Sequence, residues 1–308
     1  MMTPATRIAA RPPAVAISGR VPEDDDMAAR PKAAIDFREK LLPDGVTLLA
    51  AFDSLTEAER HFVGRIQART YANMFGILQR FVGADALEQS RHGRPNDRIG
   101  FEAPVASGTE GLARQVALRR MEAQLASGMP TGYRLLAGAQ DVAHVLHGKS
   151  NWALRAYATA IEFFWQLHAC ETAASDEALS PLLGDTFLGE RTGESLHATV
   201  AEMEWVLFDR ALKPDQRDAA VDAFVELVEA IDQLLEAQSR ADTRYFAMYS
   251  ARPMDAQTLR AVAAALLKAY RWQYLLAGMH HPRFRRVLEG LLTRGQEARV
   301  RRVMKSFA

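Results

Sequence analysis

The sequence predicts an all-α protein, and three observations carry that prediction. Apolar residues recur at helical spacing over long runs. Helix starts and stops are marked by capping residues and prolines. Strand-like alternation of apolar and polar residues is nearly absent. With 308 residues there is room for one large helical domain or two small ones.

Residues 1–30 carry several prolines and the acidic run Asp24-Asp25-Asp26. They read as a disordered lead-in, because the apolar stretch Ala14–Ile17 is too short for a signal sequence. Ser54-Leu-Thr-Glu57 has the pattern of a capping box. From it a helix is expected to run to Val82, with Phe62, Ile66, Met74, Ile77, Leu78 and Phe81 at helical spacing. A loop follows over about 83–108, rich in glycine and proline. Further helices are expected over Thr109–Ser127, Ala139–His147, Lys149–Ala174, Gly184–Leu212, Pro214–Met248, Asp255–Gly278 and Pro282–Ser306. Gly128-Met-Pro130, Pro181, Pro214 and Pro253 punctuate them. The domain reading is a bundle over 31–250 and a C-terminal helical extension over 251–308, packed on it.

The charge balance excludes some partners. There are 38 basic and 38 acidic residues, so nothing points to nucleic acid. No run of about 18 uncharged apolar residues appears, so no membrane-spanning helix is expected. The lone Cys170 cannot form an internal disulfide and fits a reducing, cytoplasmic setting; its bland reading is a small core residue. Neither a phosphate-binding Gly-rich loop nor a Gly-x-Ser-x-Gly elbow is present.

Two stretches carry candidate chemistry. Glu194-Ser-Leu-His197 puts a carboxylate and an imidazole one helical turn apart. With 38 acids and 8 histidines in 308 residues, about one such pair arises by chance, and Asp141-Val-Ala-His144 is read as that chance match. Glu190, Glu194, His197, Ala201 and Glu204 share one face, which on composition alone reads as solvated. The second stretch is Ala160-Ile-Glu-Phe-Phe-Trp-Gln-Leu-His168. Glu162 sits there among apolar and aromatic neighbours, and a buried carboxylate needs a cation, a metal or hydrogen bonds.

Several segments together resemble a bacterial branch of the ferritin-like di-iron carboxylate superfamily. They are Thr70-Tyr-Ala-Asn-Met-Phe-Gly76, Leu125-Ala-Ser-Gly-Met-Pro-Thr-Gly-Tyr-Arg134, Gly148-Lys-Ser-Asn-Trp152, Ile161-Glu-Phe-Phe, Leu179-Ser-Pro-Leu182 and Glu194-Ser-Leu-His197. The resemblance runs from about residue 54 to the C-terminus. It implies a ferritin-like four-helix bundle with additional C-terminal helices. It also implies two irons held by one Glu from each of two helices and a Glu-x-x-His from each of the other two.

Carried over position by position, the ligand set is incomplete. Glu162, Glu194 and His197 are retained as candidate metal ligands. The remaining positions fall on Gln79, Gly111 and Arg114, with Glu110 one residue away. A full di-iron centre is therefore not expected, which leaves no cofactor or a single iron or manganese ion. An inward-facing Arg114 would pair with Glu162 or Glu194 and replace metal as their counter-charge. Two functions follow. The first is a non-catalytic binding or accessory protein with a degenerate metal site, acting through the apolar bundle interior or as a homodimer. The alternative is a metal-dependent oxidoreductase using Glu162, Glu194 and His197.

Other residues have bland readings. His280 and His281 read as a turn. Arg294, Arg299, Arg301, Arg302 and Lys305 read as a solvated basic face. Trp152, Trp165, Trp205 and Trp272 read as packing; some di-iron proteins of the resembled superfamily have a tyrosine near the site, and the sequence alone does not place Tyr71 there.

Overall fold

A computed structural model describes residues 35–50, 52, 54–90, 114–136, 138–167, 179–180 and 194–307. Within these, the side chains of 81–90, Ala139, 166–167 and 194–196 lie outside the description. The lead-in 1–30, most of the loop expected over 83–108, Glu110, Gly111, Cys170 and Pro181 fall outside the described residues. The described architecture is all-helical and contains no strand. One isolated parallel bridge joins Lys40 to Leu179. No described helix is long and apolar enough to cross a membrane. Residues Lys32–Ala308 group as one compact unit.

A short helix α1 covers Asp44–Thr47. The long α2 covers Glu57–Ser90. Its capping box differs from the expected one: Thr56 N–H donates to Glu59 Oε2 at 2.8 Å, and Glu59 N–H donates to Thr56 Oγ1 at 3.3 Å. Ser54 and Glu57 lie two residues too early. Glu59 wins because Arg252 also grips its carboxylate, at 2.8 Å. The helix also runs past Val82, through Gly83 to Ser90. One interior glycine costs a helix only about 1 kcal/mol, too little to end it.

Helix α3 is described over 114–128. Helices α4, α5 and α6 cover Ala139–Leu146, Asn151–Leu167 and Glu194–Arg210. Helix α7, Pro214–Tyr249, is the longest at 36 residues and begins on a proline, whose missing N–H costs nothing in the first turn. Its buried residues Val221, Phe224, Val228, Ile231 and Leu235 form one stripe. Helix α8, Ala256–Arg271, starts where Asp255 accepts from Thr258 N–H at 2.7 Å. It then widens into a π-helical turn, Trp272–Leu276, in which Ala277 N–H reaches back five residues to Trp272. Two successive residues of that turn hold the α1 segment: Trp272 Nε1 donates to Gly45 O and Gln273 Nε2 donates to Val46 O, both at 2.9 Å.

Helix α9, Ala277–His280, follows directly. The expected single helix over Pro282–Ser306 is two: α10, Pro282–Leu291, and α11, Arg294–Ser306. Thr293 and Gln296 form a capping box between them, which offers the backbone a fresh start in place of continuation. Helix α5 packs against α6, α7 and α9, and α8 lies along α7. The core is aromatic, with Trp152, Trp165, Trp205, Tyr71, Phe75, Phe164, Tyr270, Tyr274 and Phe284 out of solvent. Trp272, read as packing, is only half-buried.

Candidate functional site

Helix α5 is apolar nearly all round, so its one acid has no route to water. Glu162 is 3% exposed, between Ile161 and the buried run Phe163, Phe164 and Trp165. An isolated carboxylate there would lose several kcal/mol, on the order of 2–7 even for a neutral polar group. Arg114, at the start of the described part of α3, meets that demand. Its guanidinium is 2% exposed and donates from Nη1 to Glu162 Oε2 at 3.3 Å. Its Nη2 lies 3.5 Å from Nδ1 of His197, on α6. A guanidinium only donates, so this contact requires the lone pair on Nδ1 and the proton on Nε2. His197 Nδ1 also lies 3.9 Å from Glu162 Oε2. The Arg114 Cζ sits 5.5 Å from the ring centre of Trp165, so the cation has an aromatic wall.

The α6 face read as solvated is partly inside. His197 is buried, and Glu204 is held by Arg155 at 3.1 Å. Glu204 is kept by opposite charge on α5, which composition alone does not reveal. Gln79 on α2 is buried, and its Nε2 makes no hydrogen bond among the described residues. Tyr71 packs 4.4 Å from Phe75 and 5.8 Å from Trp165, one ring away from Arg114. Glu194 opens α6, but its side chain lies outside the described residues, as do Gly111 and Glu110.

Of the candidate ligands, only Glu162 and His197 have side chains among the described residues. A two-metal centre needs carboxylates and imidazoles converging from four helices. Here a fixed cation contacts Glu162 at 3.3 Å and His197 at 3.5 Å in a poorly screened interior.

A second buried polar cluster was not anticipated from the sequence. Asp242, on α7, is 1% exposed. It accepts from Thr70 Oγ1 at 2.8 Å, from Gln238 Nε2 at 2.8 Å and from the Tyr270 hydroxyl. Because Thr70 gives its proton to Asp242, Tyr133 is the donor in the 2.9 Å contact between their hydroxyls. Burial pushes the Asp242 carboxyl up from 3.8 to about 7, against the pull of its three donors. Burial likewise pushes the Tyr270 and Tyr133 hydroxyls above their ordinary range. Gln238 also accepts from Leu136 N–H at 2.7 Å and donates to Arg134 O at 3.1 Å, so the network ties the segment after α3 to α7. The available signal was Gln238 and Asp242 four residues apart on the apolar stripe of α7.

Remaining candidates resolve as packing or pairing. His281 accepts from Arg283 N–H as the cap of α10 and stacks on Phe163 at 4.6 Å, so the histidine pair is a turn. Asp141 caps α4 through Gly138 N–H, and His144 is exposed. Arg299 pairs with Asp218 and Asp222, and Arg301 with Glu297 and Glu289, so two arginines of the basic tail have acidic partners within the chain. Compared with known proteins, the chain matches no family model and no curated protein sequence.

Proposed function

We propose that the protein is a ferritin-like helical bundle, with additional C-terminal helices, whose metal centre has been replaced by an internal ion pair. In this reading it is a non-catalytic binding or accessory protein of the cytoplasm. The observation that carries it is the Arg114 guanidinium, buried against Glu162 and within reach of His197. One permanent cation supplies the counter-charge that metal would otherwise provide, and it occupies two of the three candidate ligands, Glu162 and His197. The function then lies in what the bundle binds, a second copy or an apolar ligand.

A second reading, a mononuclear iron or manganese oxidoreductase using Glu162, Glu194 and His197, draws on the 3.9 Å approach of His197 to Glu162. Elemental analysis separates the two. Wild type and Glu194→Ala are expressed with iron and manganese supplied. The proposal expects no stoichiometric metal in either. One metal per chain, lost in Glu194→Ala, would establish the oxidoreductase reading, and two would restore a complete centre.

A further inference from the structure

The structure also contains an open cavity of about 200 Å³ between the segment around α1 and the first two turns of α2. Its floor is apolar, made by Leu41, Leu42 and Leu49. Four basic side chains line it, and their partners differ. Lys40 is held by Asp44 at 2.8 Å. His61 lies 3.9 Å from Glu57. Arg60 spends Nη1 on the neutral carbonyls of Leu55, at 2.8 Å, and Phe52, at 3.4 Å. Arg65 has no acidic partner among the described residues. Its Nε is out of water without a hydrogen bond, and its Cζ stands 5.7 Å from the ring centre of Phe62.

We propose that this cavity binds a small organic carboxylate, with the carboxylate on Arg65 and the apolar body over Leu42 and Leu49. The Nε is closed off from the cavity, so a half-buried guanidinium with no acidic partner among the described residues meets a planar, bidentate acceptor through its two terminal nitrogens. Burial already holds the Arg65 guanidinium below its ordinary range, which is what a missing anion would relieve. The charges at the mouth set the ligand class. Glu39, Asp44 and Glu57 also line the cavity, so a doubly charged phosphate meets about twice the repulsion of a monoanion and has no apolar body to set on the floor. The volume sets the size: a cavity of about 150 Å³ holds a benzene ring. The site lies on different residues from the Arg114 cluster, so it stands or falls independently of whether that cluster holds metal.

The test uses benzoate as probe, with benzamide as its uncharged isostere, titrated into the full chain by calorimetry. Saturable one-to-one binding of benzoate is expected, with benzamide about tenfold weaker or more, the factor a charge-assisted pair supplies. Arg65→Met keeps the apolar stem and should weaken benzoate by a similar factor. Arg65→Lys keeps the charge and should weaken it less. Inorganic phosphate should bind more weakly than benzoate. No saturable benzoate binding to wild type, equal affinity for benzamide, or equal affinity in a folded Arg65→Met would each overturn the proposal. If Arg65→Met does not fold, Arg65→Gln takes its place, and benzoate affinity there equal to wild type overturns the proposal.

Discussion

Gly278 of α9 lies directly against the main chain of Ala160 in α5. A Cβ at position 278 would stand 1.7 Å from the Ala160 carbonyl oxygen and 2.6 Å from its carbonyl carbon. Both obstacles are backbone, so no side-chain rotation makes room. Gly278→Ala should therefore cost about 3 kcal/mol or more, the upper end for overpacking, seen as a lowered urea midpoint. The same change at Gly290, where nothing lies within 4 Å, should leave the midpoint unchanged or raise it. Equal midpoints for the two variants would contradict the close approach.

The ion pair at the centre predicts an asymmetric cost. Arg114→Met leaves Glu162 buried with its principal counter-charge gone, and should lose about 3–5 kcal/mol. Adding Glu162→Gln removes the stranded charge and should restore more than half of that loss. A double-mutant cycle by urea denaturation measures it, with a coupling of at least about 1 kcal/mol expected. Additive losses would show that the two side chains do not act on one another.

Asp242 gives the protein an inverted pH signature. Its folded-state carboxyl is raised from 3.8 to about 7, so the folded form holds a proton that the unfolded form has lost. That contribution is complete below pH 3.8 and disappears as pH rises to about 7, on the order of 4 kcal/mol across the window. Glu59 has the opposite sign. Arg252 holds it below 4.5, so its stabilisation is present above that value and fades only at lower pH. Between pH 5 and pH 7 the Asp242 slope dominates. Urea midpoints across that range should fall with pH in wild type; in Asp242→Asn that fall should vanish, leaving at most a small rise from His280, whose imidazole burial holds below its ordinary range.

The junction between α10 and α11 depends on one cap. Thr293 accepts from Gln296 N–H, so Thr293→Ala should cost about 1 kcal/mol. Hydrogen exchange should quicken in the first turn of α11 and not in α7. Uniform quickening would mean that the cap supports the whole unit.

Much of the helical order could be read from particular residues. Pro214 and Asp255 mark helix starts that the structure keeps within a residue. The burial of Glu162 was legible because it stands among aromatics that leave it no solvent, whereas Arg114 entered as a partner of Glu162 or Glu194 only through the resemblance, which puts it on a ligand position. The break at Thr293 was hidden, since Leu291 and Leu292 continue the apolar period across it. Asp242 was hidden for a different reason. Its donors come from α2, α8 and its own helix, with the segment after α3 joined through Thr70 and Gln238, and the partners on α2 and α8 leave no trace in the local pattern. Arg155 and Glu204 were missed likewise, because charges on neighbouring helices look solvated when each helix is read alone.

The wide turn at Trp272–Leu276 sets the phase of everything after it. It inserts one residue relative to a regular helix, and one residue is a rotation of about 100° and an advance of about 1.5 Å. Gly278 faces Ala160 only with that extra residue in place. Were the turn to tighten into regular α-helix, the glycine would swing off the contact and a bulkier neighbour would arrive against the same carbonyl. The turn and the glycine thus form a matched pair, and a lineage could shorten one only by redesigning the other.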